Sequence, residues 1–169
     1  TDNVVSSPVY YDGLVIAGNS YYSQAMLAIR LAGAKGDITG TDHVAWKLNR
    51  LSPYVSSPLL YDDTLYVLRH NQNVLSRFDP TTGKPRGEPL RLEGINDFIF
   101  SSPIGAAGRI YVTGRDGTTV VLRHDRENAA LAVNHLDDSF SATAAVADRE
   151  FYLRGEHFLY CIAEPAQRP

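Results

Sequence analysis

Ser6-Ser7-Pro8 recurs as Ser56-Ser57-Pro58 and as Ser101-Ser102-Pro103, with Ser141-Ala142-Thr143 as a weakened fourth copy. The steps are 50, 45 and 40 residues, the span of one four-stranded structural repeat. A tripeptide can recur by chance, so the flanks decide the reading. Five residues after Pro8, Pro58, Pro103 and Thr143 stand Gly13, Asp63, Gly108 and Asp148, all turn formers. Three residues further lie Ile16, Tyr66, Tyr111 and Phe151, which suit a pleated surface. Each copy therefore reads as strand, tight turn, strand.

A third apolar segment follows in every copy: Met26 to Leu31, Val74 to Phe78, Thr119 to Leu122 and Phe158 to Ile162. A fourth follows in the first three: Val44 to Leu48, Pro89 to Leu92 and Leu131 to His135. The last copy has three strands, over Ala142 to Ala147, Glu150 to Arg154 and His157 to Ile162. Helical periodicity is missing apart from an ambiguous stretch at Gln24 to Ala32. Short strands at this spacing exclude a βαβ organisation and predict an all-β chain of about four blades of a β-propeller. The blades run over residues 4–50, 51–95, 96–137 and 138–163 of a single unit. The longer first spacing comes from the insertion Ala32 to Asp42, with Gly33, Gly36 and Gly40.

In the second copy, Phe78-Asp79-Pro80-Thr81-Thr82-Gly83 resembles the Asp-x-x-Thr-Gly core of the tryptophan-docking repeat of pyrroloquinoline-quinone-like, or quinoprotein-dehydrogenase-like, propellers. Val44-Ala45-Trp46-Lys47 resembles the strand that ends this repeat with its docking Trp, and Ser-Ser-Pro the innermost strand. Gly87 and Val133 fall near the Trp position in the next two copies. The resemblance implies an arc of a seven- or eight-bladed ring in a bacterial exported protein, periplasmic or extracellular. It also brings pyrroloquinoline quinone and calcium into consideration as cofactors. The residues themselves make no cofactor evident: Cys161 is the single cysteine, so the vicinal pair common in quinone-binding members is missing.

An open arc leaves two sheet faces uncovered, an aggregation hazard. Either the remaining blades belong to a longer chain, or two copies pair as a homodimer that completes a ring. Thr1 to Val5 could lend at most a very short closing strand. The chain opens on Thr1 rather than Met, so N-terminal trimming is expected and the lack of a signal segment is silent on export.

Charge and composition exclude several partners. A net charge of −3 with no block of like charges argues against nucleic-acid binding and against a polybasic membrane patch. No apolar run approaches the roughly 20 residues that a membrane helix needs.

No side-chain pattern announces catalysis. The histidines (His43, His70, His124, His135, His157) show no zinc spacing, and Cys161 between Tyr160 and Ile162 reads as a small filler in a strand. Ser102, His124 and Asp116 can be assembled on paper as a triad, but the serines belong to a structural repeat and no Gly-x-Ser-x-Gly elbow occurs. Small side chains suit the crowded propeller axis better. Asp12, Asp62, Asp63, Asp148 and the pair Asp137-Asp138 lack a calcium-loop pattern. Gly114 to Thr119 superficially resembles a phosphate loop but sits between two strands.

The loops between second and third strands are polar and aromatic, and loops on one propeller rim form binding surfaces. Tyr21, Tyr22, His70, Asn71 and Arg115 are the residues predicted to bind a ligand or protein partner. The reading is a non-catalytic interaction scaffold. A partial quinoprotein dehydrogenase and a propeller hydrolase or sugar-binding domain are the alternatives.

Overall fold

The computed structural model describes residues 4–20, 24–124 and 130–163. They form four antiparallel sheets whose strands follow one another in chain order. The first holds β1 (Val9–Tyr11), β2 (Leu14–Asn19), β3 (Ala25–Arg30) and β4 (Val44–Leu48). The second holds β5 (Leu59–Tyr61), β6 (Thr64–Leu68), β7 (Val74–Phe78) and β8 (Leu90–Arg91). The third holds β9 (Ile104–Ala106), β10 (Arg109–Thr113), β11 (Thr118–Arg123) and β12 (Ala130–His135). The fourth, among the described residues, has β13 (Ala145–Ala147), β14 (Glu150–Arg154) and β15 (Leu159–Ala163). These are propeller blades, three of four strands and one of three.

The ambiguous stretch at Gln24 to Ala32 resolves as β3, because Met26 and Ala28 alternate into the core with their neighbours turned outward. The outer strand expected over Pro89 to Leu92 shrinks to two residues. Pro85 and Pro89 cannot donate to a ladder, which leaves one isolated bridge, Phe78 to Pro85, beside it. Thr1 to Asn3 lie outside the described residues, and Val4 and Val5 are in no strand.

The hairpins between first and second strands turn through Asp12, Asp62, Ala107 and Asp148, each at positive φ (43°, 50°, 49° and 53°). Asp tolerates this conformation through local hydrogen bonding, which is why it recurs there. This alignment corrects the fourth copy by one residue. Its counterpart of Ser-Ser-Pro is Ala142-Thr143-Ala144, not Ser141-Ala142-Thr143, and Tyr152, not Phe151, pairs on the rung that Ile16, Tyr66 and Tyr111 occupy.

The repeated serines have a specific task. The Ser7 N–H donates to Ser57 Oγ at 2.9 Å, the Ser57 N–H to Ser102 Oγ at 2.9 Å, and the Ser102 N–H to Thr143 Oγ1 at 2.8 Å. One hydroxyl per blade thus links consecutive inner strands around the axis. The first serine of each intact copy is buried and donates to a backbone carbonyl: Ser6 to Gly18, Ser56 to Ile99 and Ser101 to Thr113. A buried hydroxyl needs such a partner, and these serines are therefore occupied structurally.

Apolar residues fill the seams between blades. Leu14, Ile16, Met26, Ala28 and Trp46 pack on Leu65, Val67 and Phe78 across the first seam. Tyr66, Leu68, Leu75 and Leu92 pack on Ile110, Val112 and Leu122 across the second. Trp46 seals the first. Its indole N–H donates to the Pro80 carbonyl at 2.9 Å, and its ring covers Gly83, where an added Cβ would lie 2.7 Å from Trp46 Cδ2. Gly83 stands at φ +67° at the end of a turn held by Asp79, whose Oδ1 accepts from the N–H and hydroxyl groups of Thr81 and Thr82. Those bonds, the Thr81 hydroxyl foremost, with the Arg86 guanidinium hold the Asp79 carboxyl well below the usual carboxylate range, against the opposing effect of burial.

At the second seam His124, next to β11 on the third blade, reaches across to the second. His124 shares a 2.8 Å hydrogen bond between Nδ1 and the Tyr66 hydroxyl, and its Nε2 lies 3.3 Å from Asp62 Oδ2. Tyr61 meets its ring edge-on at 4.9 Å. The third seam is looser, with an open cleft of about 780 Å³ between Tyr111 and Thr119 on one blade and Val146, Phe151 and Leu153 on the next. Ala132 stands opposite Val121 there, on the rung where the first blade carries Trp46, too small to fill it.

Candidate functional site

The loops between second and third strands share one rim with the connectors that lead into each new blade. His70 sits at φ +52° and is bound on three sides. Its N–H donates to the Ser52 carbonyl, its Nδ1 lies 2.9 Å from Ser20 Oγ, and its ring stacks on Tyr54 with centroids 5.0 Å apart. Of the predicted residues that are described, it is the one locked into the first seam.

Asn71 is buried, and its carbonyl accepts the Ile99 N–H. Among the described residues its Oδ1 has no hydrogen-bond partner. Arg115, on the next blade's loop, donates its N–H to the Phe98 carbonyl and accepts the Phe140 N–H. Its guanidinium lies over the Phe100 ring at 5.3 Å, while its buried Nε is unpartnered. Phe100 in turn stacks on Phe98, with centroids 6.1 Å apart and planes 6° from parallel. Phe98 is 55% exposed. The connector Phe98-Ile99-Phe100 thus runs between Asn71 and Arg115, ending a cation–aromatic–aromatic stack on solvent.

The structure therefore brings Asn71 and Arg115 to one connector and leaves His70 on the neighbouring seam. Tyr21 and Tyr22 lie outside the described residues. Phe98, Phe100 and Tyr54 were not singled out in the sequence, because they stand in connectors that read only as approaches to the inner strands. Their signal was the alternation Phe98-Ile99-Phe100, two aromatics of the same face.

The triad assembled on paper is dispersed. Ser102 Oγ accepts from Ser57, His124 serves Tyr66 and Asp62, and the Asp116 carboxylate accepts from the Asn96 and Thr118 N–H groups. Gly114 to Thr118 closes a hairpin, with the Gly114 N–H bonded to the Thr118 carbonyl. Among the described residues no group of three or more His, Cys, Asp or Glu side chains is placed to hold a metal ion. Cys161 is exposed on β15 rather than buried as a filler.

Asp138, considered as a calcium ligand, has a wholly buried carboxylate saturated by donors. It accepts from the N–H groups of Ser139, Glu156, His157 and Phe158, from His157 Nδ1 at 3.0 Å and from the Tyr160 hydroxyl. Burial works to raise its pKa, but the His157 hydrogen bond and the backbone donors prevail and hold it well below the usual range. His157 is shifted up by the same contact. The depressed carboxyl contributes stability above its unfolded pKa of ~3.9, which is lost on acidification through its folded value. The raised imidazole contributes below its unfolded ~6.5 and loses its share as pH climbs past its folded value. Amide exchange in the β14–β15 loop is therefore expected to exceed its intrinsic base-driven rise as pH increases from near 6 to 9. The excess should vanish in His157→Ala; an unchanged excess in that variant would refute the coupling.

No family model matches the chain, and no curated protein sequence matches it. Solved structures do. BamB from Moraxella catarrhalis superposes with a TM-score of 0.70 at 16% identity over 96% of this chain and 47% of its own. The computationally designed Ika4 protein gives 0.70 at 11% identity, over 96% of this chain and 91% of its own. Quinohemoprotein alcohol dehydrogenase from Comamonas testosteroni gives 0.67 at 13% identity, over 90% and 29%. The chain spans about half the length of BamB. No helix is long and apolar enough to cross a membrane among the described residues. Blade order, the Trp46 dock on the Asp79–Gly83 turn and these superpositions agree on one architecture: the chain has the fold of the pyrroloquinoline-quinone-like β-propellers.

Proposed function

We propose that this chain is an interaction module of an exported protein whose rim at Phe98, Phe100 and Arg115 binds an extended segment of a partner protein. The observation that carries this reading is the stack of Arg115 on Phe100 on exposed Phe98, flanked by two buried polar atoms without partners, Asn71 Oδ1 and Arg115 Nε. A partner carboxylate meeting the Arg115 guanidinium would make a charge-assisted hydrogen bond, the stronger kind. Aromatic and Arg anchors are the side chains that dominate protein interfaces.

The dehydrogenase alternative needs a cofactor site. The described residues offer neither a clustered carboxylate set nor a pair of cysteines for quinone and calcium, and Asp138 has no oxygen to spare.

Selection of displayed peptides on the immobilised protein tests the interaction reading. Enriched peptides should lose about tenfold or more in affinity against Phe98→Ala and against Arg115→Ala, an anchor-sized effect. Lys35→Ala, exposed on the insertion of the first blade, should change nothing. Enrichment of peptides that bind all three variants equally would overturn the rim assignment, as would recognition of glycans in place of peptides.

A further inference from the structure

A blade covered on both sides buries both of its faces. β6, with neighbours on either side, is buried at every position from Thr64 to Leu68. The equivalent strand of the first blade, β2, is buried at Leu14, Ile16, Gly18 and Asn19, but on its other face Val15 and Ala17 are only half-buried. That other face is no solvent face by composition. Val15 and Ala17 pair with Ile29 and Leu27, an apolar surface. The same position as Val15 is held by Leu65 in the second blade and Ile110 in the third, both wholly buried in a seam. The first blade is therefore built to receive a blade that precedes it.

The other end of the arc is complementary. On the fourth blade the face turned away from its neighbour carries Tyr152 and Cys161 on one rung, Arg154 and the 69% exposed Leu159 on another, and Glu150, whose carboxylate accepts the Tyr152 hydroxyl. These rungs match those of Ile16, Ala28 and Met26, which close the first seam. The hydroxyl relay is also open at both ends. Ser7 Oγ has no donor and the Thr143 N–H has no acceptor among the described residues, and both residues are exposed. One end of the chain thus lacks what the other end offers.

We infer that two copies of this chain close head to tail into an eight-bladed ring, the fourth blade of each covering the first blade of the other. The Thr143 N–H of each copy then donates to Ser7 Oγ of its partner, and the relay becomes continuous through all eight blades. Two identical seams follow from a two-fold axis along the propeller axis, so the head-to-tail contact closes instead of propagating. Further blades from elsewhere in a longer polypeptide are the rival occupant, and they would leave this chain of 169 residues without affinity for itself.

The native cysteine makes the seam testable, since Cys161 lies on the trailing face and Val15 on the leading face. Sedimentation should show a single species of twice the chain mass. Val15→Cys should be linked to Cys161 of the partner by diamide, which takes up the two electrons and two protons released, giving a band of twice the mass on a non-reducing gel. The doubly substituted Val15→Cys/Cys161→Ser should give none. Leu27→Asp, which would bury an unpaired carboxylate in the seam, should weaken self-association roughly tenfold or more while Trp46 fluorescence and the β-sheet circular dichroism stay native. A monomer at micromolar concentration, a ladder of open oligomers, or a dimer that fails to cross-link would each overturn the inference.

Discussion

Replacing Trp46 by alanine is expected to destabilise the fold by about 3–5 kcal/mol, the range for a large aromatic lost from a packed core. The ring is 9% exposed, bridges the first and second blades, and is held at both its edge and its face. The edge donates to the Pro80 carbonyl, and the face lies on Gly83. Truncation leaves a void bordered by Ile16, Ala28 and Phe78 that neighbouring sheets, each hydrogen-bonded into a rigid ladder, cannot collapse to fill. Trp46→Phe separates the contributions: it retains much of the apolar area and loses the hydrogen bond, worth about 0.5–1.5 kcal/mol net. Urea unfolding of the three proteins checks this. Equal midpoints for wild type and Trp46→Ala would show that the seam does not exist in solution.

The second large effect is expected from Gly105→Ala. A Cβ at Gly105 would lie 2.2 Å from Tyr61 Cδ2 and 2.6 Å from Tyr61 Cγ. The Tyr61 ring cannot swing aside at no cost, because its hydroxyl accepts the Gly108 N–H at 2.9 Å on the next blade. The added methyl group must therefore push the second and third blades apart, and overpacking of this kind costs about 1–3 kcal/mol or more. Gly108→Ala makes the contrast. Nothing lies within 4 Å of its Cβ, so its cost is confined to the φ of +70°, about 1–2 kcal/mol. Removal of the obstacle should rescue the first variant: Gly105→Ala in a Tyr61→Ala background should cost clearly less than in wild type. Additive losses would mean that the two residues do not touch.

The parts of the fold legible in the sequence were those governed by local chemistry. Asp and Gly at positive φ mark the hairpins whatever surrounds them, so Asp12-Gly13 and Ala107-Gly108 announced two turns directly. Asp79 holds its turn through near neighbours, while Trp46 reaches Pro80 34 residues away; both carry the distinctive residue types on which the resemblance to the docking repeat rested. The fourth blade was misaligned by one residue because Ser141 repeats the wrong half of the motif. What matters there is a hydroxyl able to accept the Ser102 N–H, and Thr143 supplies it.

The rest depended on which residues meet across blades. Nothing local distinguishes His124 from any other turn histidine. Its role comes from Tyr66 and Asp62, 58 residues distant in the first case. The rim was half legible: loop position pointed to Asn71 and Arg115, whereas the Phe98–Phe100 pair emerges only when the connector is seen to pass beneath Arg115. His70, chosen for the same reason as Asn71, is instead bound into the seam by Ser20 and Tyr54.

The central claim is that consecutive blades stack face to face in one arc, and a proton NMR spectrum with assigned glycines tests it most directly. Gly83 lies under the Trp46 ring and Gly105 against the Tyr61 ring. Both should show Hα resonances well upfield of unstructured glycine, with cross-peaks to the Trp46 and Tyr61 ring protons, while the open Gly36 should show neither. Shifts for Gly83 and Gly105 indistinguishable from that of Gly36 would contradict the stacked arc.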